Sequence, residues 1–181
     1  MYQIIPQVIP DCLELIPDIF CDERGETAKP FHSTSFRELG LPAAFQEELN
    51  VINHGHVLRG MHYQQVPYEQ AKLVYCLKGE MLDVAIDIRP ESPTYGEYMA
   101  IKLSAAKRNM IYIPAGFAHG YLTLSEETIV VYKMTNEYHP EAEGGIRWDS
   151  FGLDWGVAKP ILSVKDTQWP TLEQYLQHNY K

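Results

Sequence analysis

A run of eight residues near the middle of the chain alternates between two kinds of side chain. Over 81–88, one set of alternate positions is aliphatic, and the set between them contains two acidic residues: Leu82, Val84, Ile86 and Ile88 against Asp83, Ala85 and Asp87. A two-residue period is that of a β-strand and not of a helix. The preceding pair Gly79-Glu80 suits a tight hairpin. The segment therefore predicts a strand with two different faces.

Similar short runs occur on both sides of this strand. They cover 72–77, 98–103, 110–113, 120–124 and 128–134, and the last is rich in β-branched and aromatic residues. Proline and glycine punctuate the chain between them, as at 89–93. Many short strands with frequent turns predict an antiparallel sandwich, a jelly roll or a small barrel, and the periodicity does not choose among these.

Two capping boxes predict short helices outside the strand region. Ser35 is followed three residues later by Glu38, and Gly40 would end that helix. Thr171 is followed by Gln174 in the same way, which predicts a helix over about 171–178.

The charge balance excludes several classes of partner. The chain has 24 acidic and 15 basic residues, a net charge of −9, whereas nucleic-acid binding needs a basic surface. No apolar run approaches the ~20 residues of a membrane span, and the N-terminus lacks the pattern of a signal peptide. Cys12, Cys21 and Cys76 are odd in number and lack zinc spacing. We expect each to be a small buried apolar residue in a reducing, cytoplasmic setting.

Two segments that contain histidine could supply catalytic or metal-binding side chains. Residues 113–120 contain a Pro-x-Gly-x-x-His turn that places His119 at the start of a strand. This pattern resembles the second motif of the cupin superfamily, whose fold is a double-stranded β-helix jelly roll. Metal-binding cupins also have a His-x-His motif followed by a glutamate, but His54-Gly55-His56 is followed by Arg59 and no carboxylate. We therefore expect no metal, and expect His54 and His56 to lie in a loop or turn.

A longer resemblance is more specific. The string VLRGMHYQ at 57–64 resembles the dTDP-4-dehydrorhamnose 3,5-epimerase family, the sugar-epimerase branch of the cupins. Further segments match that family in order, at 71–74, 79–80, 83–89, 92–96, 103–105, 113–120, 124–126, 132–133, 138–140 and 161–166. The similarity spans about residues 5–166.

The resemblance implies a mainly β fold, a cupin jelly roll with short peripheral helices. It implies a single domain over 1–181, with an N-terminal strand segment over about 1–50, a jelly-roll core over about 51–140, and a C-terminal segment and helix over about 141–181. It also implies a homodimer that exchanges N-terminal strands, with a nucleotide sugar as substrate and no cofactor. No membrane or nucleic-acid partner is expected.

The family inverts carbons that flank a C4 ketone in a nucleotide-linked 6-deoxy sugar. This reaction needs a base, a cation for the enolate oxygen, and an acid on the opposite face. An imidazole titrates nearest neutral pH, which suits His62 as the base. By resemblance, Asp166 orients His62, Lys72 stabilises the enolate and Tyr132 donates the proton. The resemblance further implies a set of substrate-binding residues, Arg24, Asn50, Arg59, His119, Tyr138, Glu143 and Lys165.

The sequence departs from the family where the nucleotide would bind. Thr27 stands at the position of an aromatic residue, and Lys29 at that of a glutamate. The usual Gln-x-Asn reads Glu48-Leu49-Asn50. An epimerase of a CDP- or GDP-linked 4-keto sugar is therefore an alternative to one of a dTDP sugar, and inversion at C3, C5 or both stays open. A non-catalytic sugar-nucleotide-binding cupin and a metal-dependent cupin are the competing classes.

Overall fold

The computed structural model describes residues 1–178, and β-strands dominate it. In chain order its elements are β1 (Tyr2–Pro6), β2 (Leu13–Pro17), β3 (Ile19–Asp22), β4 (Gly25–Ala28), α1 (Ser33–Glu38), β5 (Glu47–His54), β6 (Leu58–Gln64), β7 (Lys72–Lys78), β8 (Glu80–Asp87), β9 (Tyr98–Ser104), β10 (Met110–Ile113), β11 (Phe117–Thr123), β12 (Glu127–Met134), β13 (Glu143–Gly145) and α2 (Leu172–His178). Short 3-10 helices cover Pro140–Ala142 and Lys165–Thr167. The predicted mainly β class with short peripheral helices is confirmed.

The strands form two large antiparallel sheets and a separate hairpin. One sheet has six strands in the order β1-β2-β10-β7-β12-β5, and the other has five in the order β13-β6-β11-β8-β9. Strands β3 and β4 pair only with each other. Sequence neighbours such as β7 and β8 lie in different sheets, so the chain crosses between the two layers.

Apolar side chains from the two sheets meet in the central core. Val74 and Val130 of the six-stranded sheet pack in one cluster with Met81, Ala85 and Tyr121 of the five-stranded sheet. A second cluster covers the outer face of the five-stranded sheet, where C-terminal residues pack on alternate positions of β8 and β11. Strand β8 is therefore buried on both faces.

The predicted strands are found with small changes at their ends. Strand β10 has the predicted bounds, and β8 begins and ends one residue earlier than predicted. Strand β11 begins at Phe117, not at residue 120, because Phe117 already pairs with Asp87 of β8. His119 is consequently inside the strand, and the prediction that it begins the strand was wrong.

The two capping boxes have different outcomes. At α2, the Thr171 backbone N–H donates to Gln174 Oε1 at 2.9 Å, and the Gln174 N–H donates to Thr171 Oγ1 at 3.1 Å. This reciprocal pair confirms the second box. The first was wrong: Ser35 is inside α1, and His32 is the N-cap residue, whose Nδ1 accepts from the Ser35 N–H.

The cysteines are unpaired. Cys12 and Cys76 are buried, as predicted, but Cys21 is exposed. Cys21 lies on β3, in the hairpin that joins neither large sheet, so no second layer covers it.

Candidate active site

A cavity of about 350 Å³ opens between the two sheets. Seven of the predicted catalytic or binding residues line it, and four of these face one another from the two sheets. His62 of β6 and His119 of β11 project from the five-stranded sheet, and Lys72 of β7 and Tyr132 of β12 project from the six-stranded sheet. The fold thus brings together residues that are up to 70 positions apart in the sequence, from residue 62 to residue 132.

His62 and Asp166 form a hydrogen-bonded pair. Nε2 of His62 lies 2.6 Å from Oδ1 of Asp166, which the 3-10 helix Lys165–Thr167 holds beneath the imidazole. The Asp166 side chain is 3% exposed and that of His62 is 33% exposed. Burial raises the pKa of Asp166, but the hydrogen bond and charge of His62, with hydrogen bonds from Ser163 and the Gly60 backbone, outweigh burial and hold this pKa below its usual value. Because Nε2 donates to the carboxylate, Nδ1 carries the lone pair that can accept a proton.

Lys72 is a buried cation in the cavity wall. Its side-chain nitrogen donates to the His62 carbonyl at 3.4 Å, and the residue is 9% exposed. Burial lowers the pKa of Lys72 to about 8, although the negative charges of Asp83 and Glu143 act in the opposite direction. Lys72 is thus placed to neutralise negative charge that develops in the cavity.

Asp83 is a site residue that the sequence analysis missed. Its Oδ2 lies 2.9 Å from Nε2 of His119, and both residues are buried. Burial lowers the pKa of His119, with Asp83 opposing the shift. The alternating pattern of side chains in β8 could have identified Asp83, because an acidic residue on a face that the opposite sheet covers needs a partner.

Tyr132 stands between two other rings of the site. Its ring centroid is 5.8 Å from that of His119 and 5.9 Å from that of Tyr121. Burial raises the pKa of Tyr132 well above 10, so this phenol keeps its proton across the neutral range.

Polar residues at the edge of the cavity form a second group. Nε of Arg59 donates to Asn53 Oδ1 at 2.8 Å, and Arg59 lines the cavity. The Tyr138 hydroxyl donates to Glu143 Oε2 at 2.6 Å, and Lys165 forms an ion pair with the same carboxylate. Glu143 and Tyr138 line the cavity, and Lys165 reaches it through Glu143.

Two predicted binding residues lie elsewhere in the monomer. Arg24 is at the turn of the β3–β4 hairpin, where its side chain is 90% exposed and hydrogen-bonds to Asp22. Asn50 is exposed on β5, whereas the alternate residues Leu49 and Val51 line the cavity. A strand presents alternate residues to opposite faces, so Asn50 faces away from this cavity.

The two histidines of the His-x-His segment do not line the cavity. His56 lies in a turn with a φ of 59°, as predicted, but His54 is the last residue of β5. Within residues 1–178, no group of three or more His, Cys, Asp or Glu side chains could hold a metal ion. None of the helices described there is long and apolar enough to cross a membrane.

The fold and the site together define a class of protein. A jelly roll with a carboxylate-bound imidazole, a buried lysine and a half-buried phenol around one cavity is the arrangement expected of a cupin-type isomerase that moves protons. Comparisons with known proteins narrow this class. The family model described as dTDP-4-dehydrorhamnose 3,5-epimerase matches residues 6–174, and the chain belongs to this family.

Individual relatives agree over nearly the whole chain. The dTDP-4-dehydrorhamnose 3,5-epimerase of Salmonella typhimurium is 43% identical over 180 residues, covering 97% of this chain and 98% of the relative. A Legionella pneumophila 3,5-epimerase crystallised with dTDP-4-keto-L-rhamnose is 37% identical, with a TM-score of 0.91 and coverage of 96% and 94%. A 3'-monoepimerase of Streptomyces bikiniensis in complex with dTDP-quinovose is 30% identical, with a TM-score of 0.90 and coverage of 96% and 89%. The predicted cupin jelly roll and the predicted nucleotide-sugar epimerase are confirmed.

Proposed function

We propose that this chain inverts both C3 and C5 of dTDP-4-keto-6-deoxyglucose, the reaction of a dTDP-4-dehydrorhamnose 3,5-epimerase. The observation that supports the proposal most is the arrangement of the cavity. His62 of the five-stranded sheet, paired with Asp166, lies opposite Lys72 and Tyr132 of the six-stranded sheet. Base and acid on opposite walls are what inversion at one carbon requires. The dTDP sugar bound in the Legionella relative supports the substrate class.

We assign one step of the proposed reaction to each residue. Nδ1 of His62 removes the proton next to the ketone, and the buried carboxylate of Asp166 stabilises the imidazolium that forms. The electron pair moves to the C4 oxygen, where Lys72 supplies positive charge. Tyr132 then returns a proton to carbon from the opposite face.

In the proposed reaction His119 neither transfers a proton nor holds the enolate oxygen. Burial lowers its pKa, and its Nε2–H is committed to Asp83 at 2.9 Å. A neutral imidazole has a single N–H, so His119 has none left for the enolate oxygen. We assign His119 to lining the sugar site and Lys72 to holding the oxygen.

The diphosphate needs cations at the mouth of the cavity. Arg59 lines the cavity and uses Nε for Asn53, and a guanidinium has further N–H groups that can bind phosphate oxygens. The second predicted clamp, Arg24, is carried outward on the β3–β4 hairpin, whose exposed side chains include Ile19 and Phe20. We propose a homodimer in which this hairpin supplies the partner's Arg24 to the cavity.

Mixed dimers test this arrangement. Arg24→Ala and His62→Ala subunits, each weakly active alone, should regain about a quarter to a half of wild-type activity when refolded together, since one cavity then holds both native residues. Arg147→Ala, which alters another exposed arginine, serves as the control for the loss of a surface cation. No recovery, or a monomer by light scattering, would show that Arg24 does not act across subunits.

Deuterium exchange tests the reaction. In heavy water, NMR of dTDP-4-keto-6-deoxyglucose should show incorporation at C3 and C5 together with inversion, and His62→Ala should abolish both. His56→Ala, in a turn that does not line the cavity, should behave as wild type. Exchange at one carbon alone would make this chain a mono-epimerase, like the Streptomyces bikiniensis relative.

Nucleotide choice is tested separately, because Thr27 and Lys29 depart from the family pattern. We expect dTDP to bind more tightly than CDP or GDP in calorimetric titrations. Tighter CDP or GDP binding, with exchange only on the corresponding 4-keto sugar, would favour the alternative substrate. Nucleotide binding with no exchange on any sugar would identify a non-catalytic binding protein.

We also propose a cytoplasmic setting for this chain. The unpaired Cys12, Cys21 and Cys76 support it, because disulfides are rare in a reducing cytoplasm.

A further inference from the structure

A second tyrosine, Tyr121, contacts the proposed acid without lining the cavity. Tyr121 lies on β11, two residues after His119, and is fully buried. The two ring centroids are 5.9 Å apart, and each hydroxyl contributes to the shifted pKa of the other. None of the steps proposed for the reaction uses the buried hydroxyl of Tyr121.

The hydrogen of the Tyr121 hydroxyl has a defined acceptor. The Tyr121 hydroxyl donates to Asn53 Oδ1 at 3.1 Å. A hydroxyl has one hydrogen, so in this arrangement Tyr121 has none left for Tyr132. The same Asn53 oxygen also accepts from Arg59 Nε at 2.8 Å. Asn53 therefore connects Tyr121, the neighbour of the proposed acid, to the proposed diphosphate clamp.

The orientation of Asn53 is fixed by its other contacts. Its Nδ2 donates to the carbonyl oxygens of Val51 and Thr128, both at 3.3 Å. Both acceptors are backbone carbonyls, so the amide nitrogen must face them and the amide oxygen must face Tyr121 and Arg59. The buried side chain thus offers Tyr121 only an acceptor.

This arrangement has a consequence for proton transfer. When Tyr132 protonates the substrate carbon, its O–H bond breaks, a C–H bond forms and Tyr132 becomes a phenolate. Tyr121 can then rotate its hydrogen from Asn53 to the phenolate oxygen. Asn53 Oδ1 is not left unpaired, because the Arg59 N–H remains on it. We propose that Tyr121 is a positioning residue, which stabilises the Tyr132 phenolate by donating a hydrogen bond to it as the proton leaves. This inference rests on the role proposed for Tyr132.

Tyr121→Phe tests it through the ratio of exchange to inversion. His62 would still remove the substrate proton, and its part-exposed imidazole can exchange that proton with heavy water. If Tyr132 donates poorly, deuterium returns from His62 to the original face, which gives labelled but uninverted substrate. We expect inversion to fall about tenfold or more, the effect of losing one hydrogen bond to a charged group, while exchange stays within about twofold. A merely structural defect would lower both alike.

Controls separate the possible failures. Tyr112→Phe removes another buried hydroxyl, on β10, and should leave the ratio unchanged. Dissociation constants for dTDP should match between Tyr121→Phe and wild type. If the variant folds poorly, 3-fluorotyrosine at position 121 keeps the packing and donates more strongly, so the ratio should shift towards inversion. An unchanged ratio in a folded variant would overturn the role of Tyr121, whereas absent exchange in the wild type would overturn the proposed function.

Discussion

Replacing Asp166 by asparagine should slow proton removal while leaving the shape of the site intact. The Oδ1–Nε2 distance of 2.6 Å is that of a short, charge-assisted hydrogen bond, and the carboxylate is buried. Asparagine is nearly isosteric, so the loss reports the charge and the tautomer that this charge selects. An asparagine that donates from its amide nitrogen would stabilise the wrong tautomer of His62.

The magnitude follows from the type of contact. A hydrogen bond to a charged group contributes about 1.5–3 kcal/mol, and each 1.36 kcal/mol changes a rate about tenfold. Asp166→Asn should therefore reduce the rate of deuterium exchange by roughly 10- to 150-fold. Inversion should fall by the same factor, because both outcomes begin with removal of the proton by His62.

The assay is the initial rate of deuterium incorporation at C3 and C5, measured by NMR at saturating substrate. Asp149→Asn is the matched control, since Asp149 is an exposed carboxylate paired with Arg147, and it should retain the wild-type rate. Exchange by Asp166→Asn within threefold of wild type would refute the argument that the buried charge activates His62. A loss of inversion without a loss of exchange would place Asp166 in the second proton transfer.

Three further predictions follow from the same geometry. Tyr132→Phe should retain deuterium exchange and lose inversion by about 10²-fold or more, because only the acid is removed; equal losses in the NMR assay would contradict this. Since Lys72 is cationic only below its pKa of about 8, kcat/KM should fall as the pH rises through 8, and Lys72→Met should remove that limb of a pH–rate profile. Gly60→Ala should lower the unfolding free energy by about 1–3 kcal/mol more than Gly152→Ala in denaturant melts. Both glycines have positive φ, but a Cβ at Gly60 would lie 2.5 Å from Gly120 Cα whereas Gly152 faces open space; equal losses would contradict the clash.

Local sequence signals were sufficient for six of the thirteen strands described within residues 1–178, β7 to β12, and for one helix. The period of β8 and the capping residues of α2 involve neighbours within four positions, and such contacts can be deduced from sequence. The helix near Ser35 shows the limit, because His32 caps it in place of the residue that the pattern favoured.

The site itself could not be derived from spacing. His62 and Asp166 are 104 positions apart, and only the family resemblance paired them before the structure placed them at 2.6 Å. That resemblance was less informative at β5, where Leu49 and Val51 line the cavity and Asn50 does not. A strand shifted by one residue exchanges its two faces, so an uncertainty of one position in matching the family pattern reverses which residue reaches the substrate.

Strand β8 shows how a jelly roll can hold such a site. Asp83 and Asp87 are four positions apart on the same face of the strand, and both are fully buried. An unpaired buried carboxylate is costly, so each has a partner of its own. Asp87 binds Arg89 and closes a loop at the end of the strand, whereas Asp83 binds His119 beside the cavity. A buried acid on an inward-facing strand position therefore indicates either a structural clamp or a functional group. In this chain the partner distinguishes the two cases. Asp87 pairs with the guanidinium of Arg89, two residues along the chain, and fixes a turn. Asp83 pairs with the imidazole of His119 on the neighbouring strand and belongs to the site.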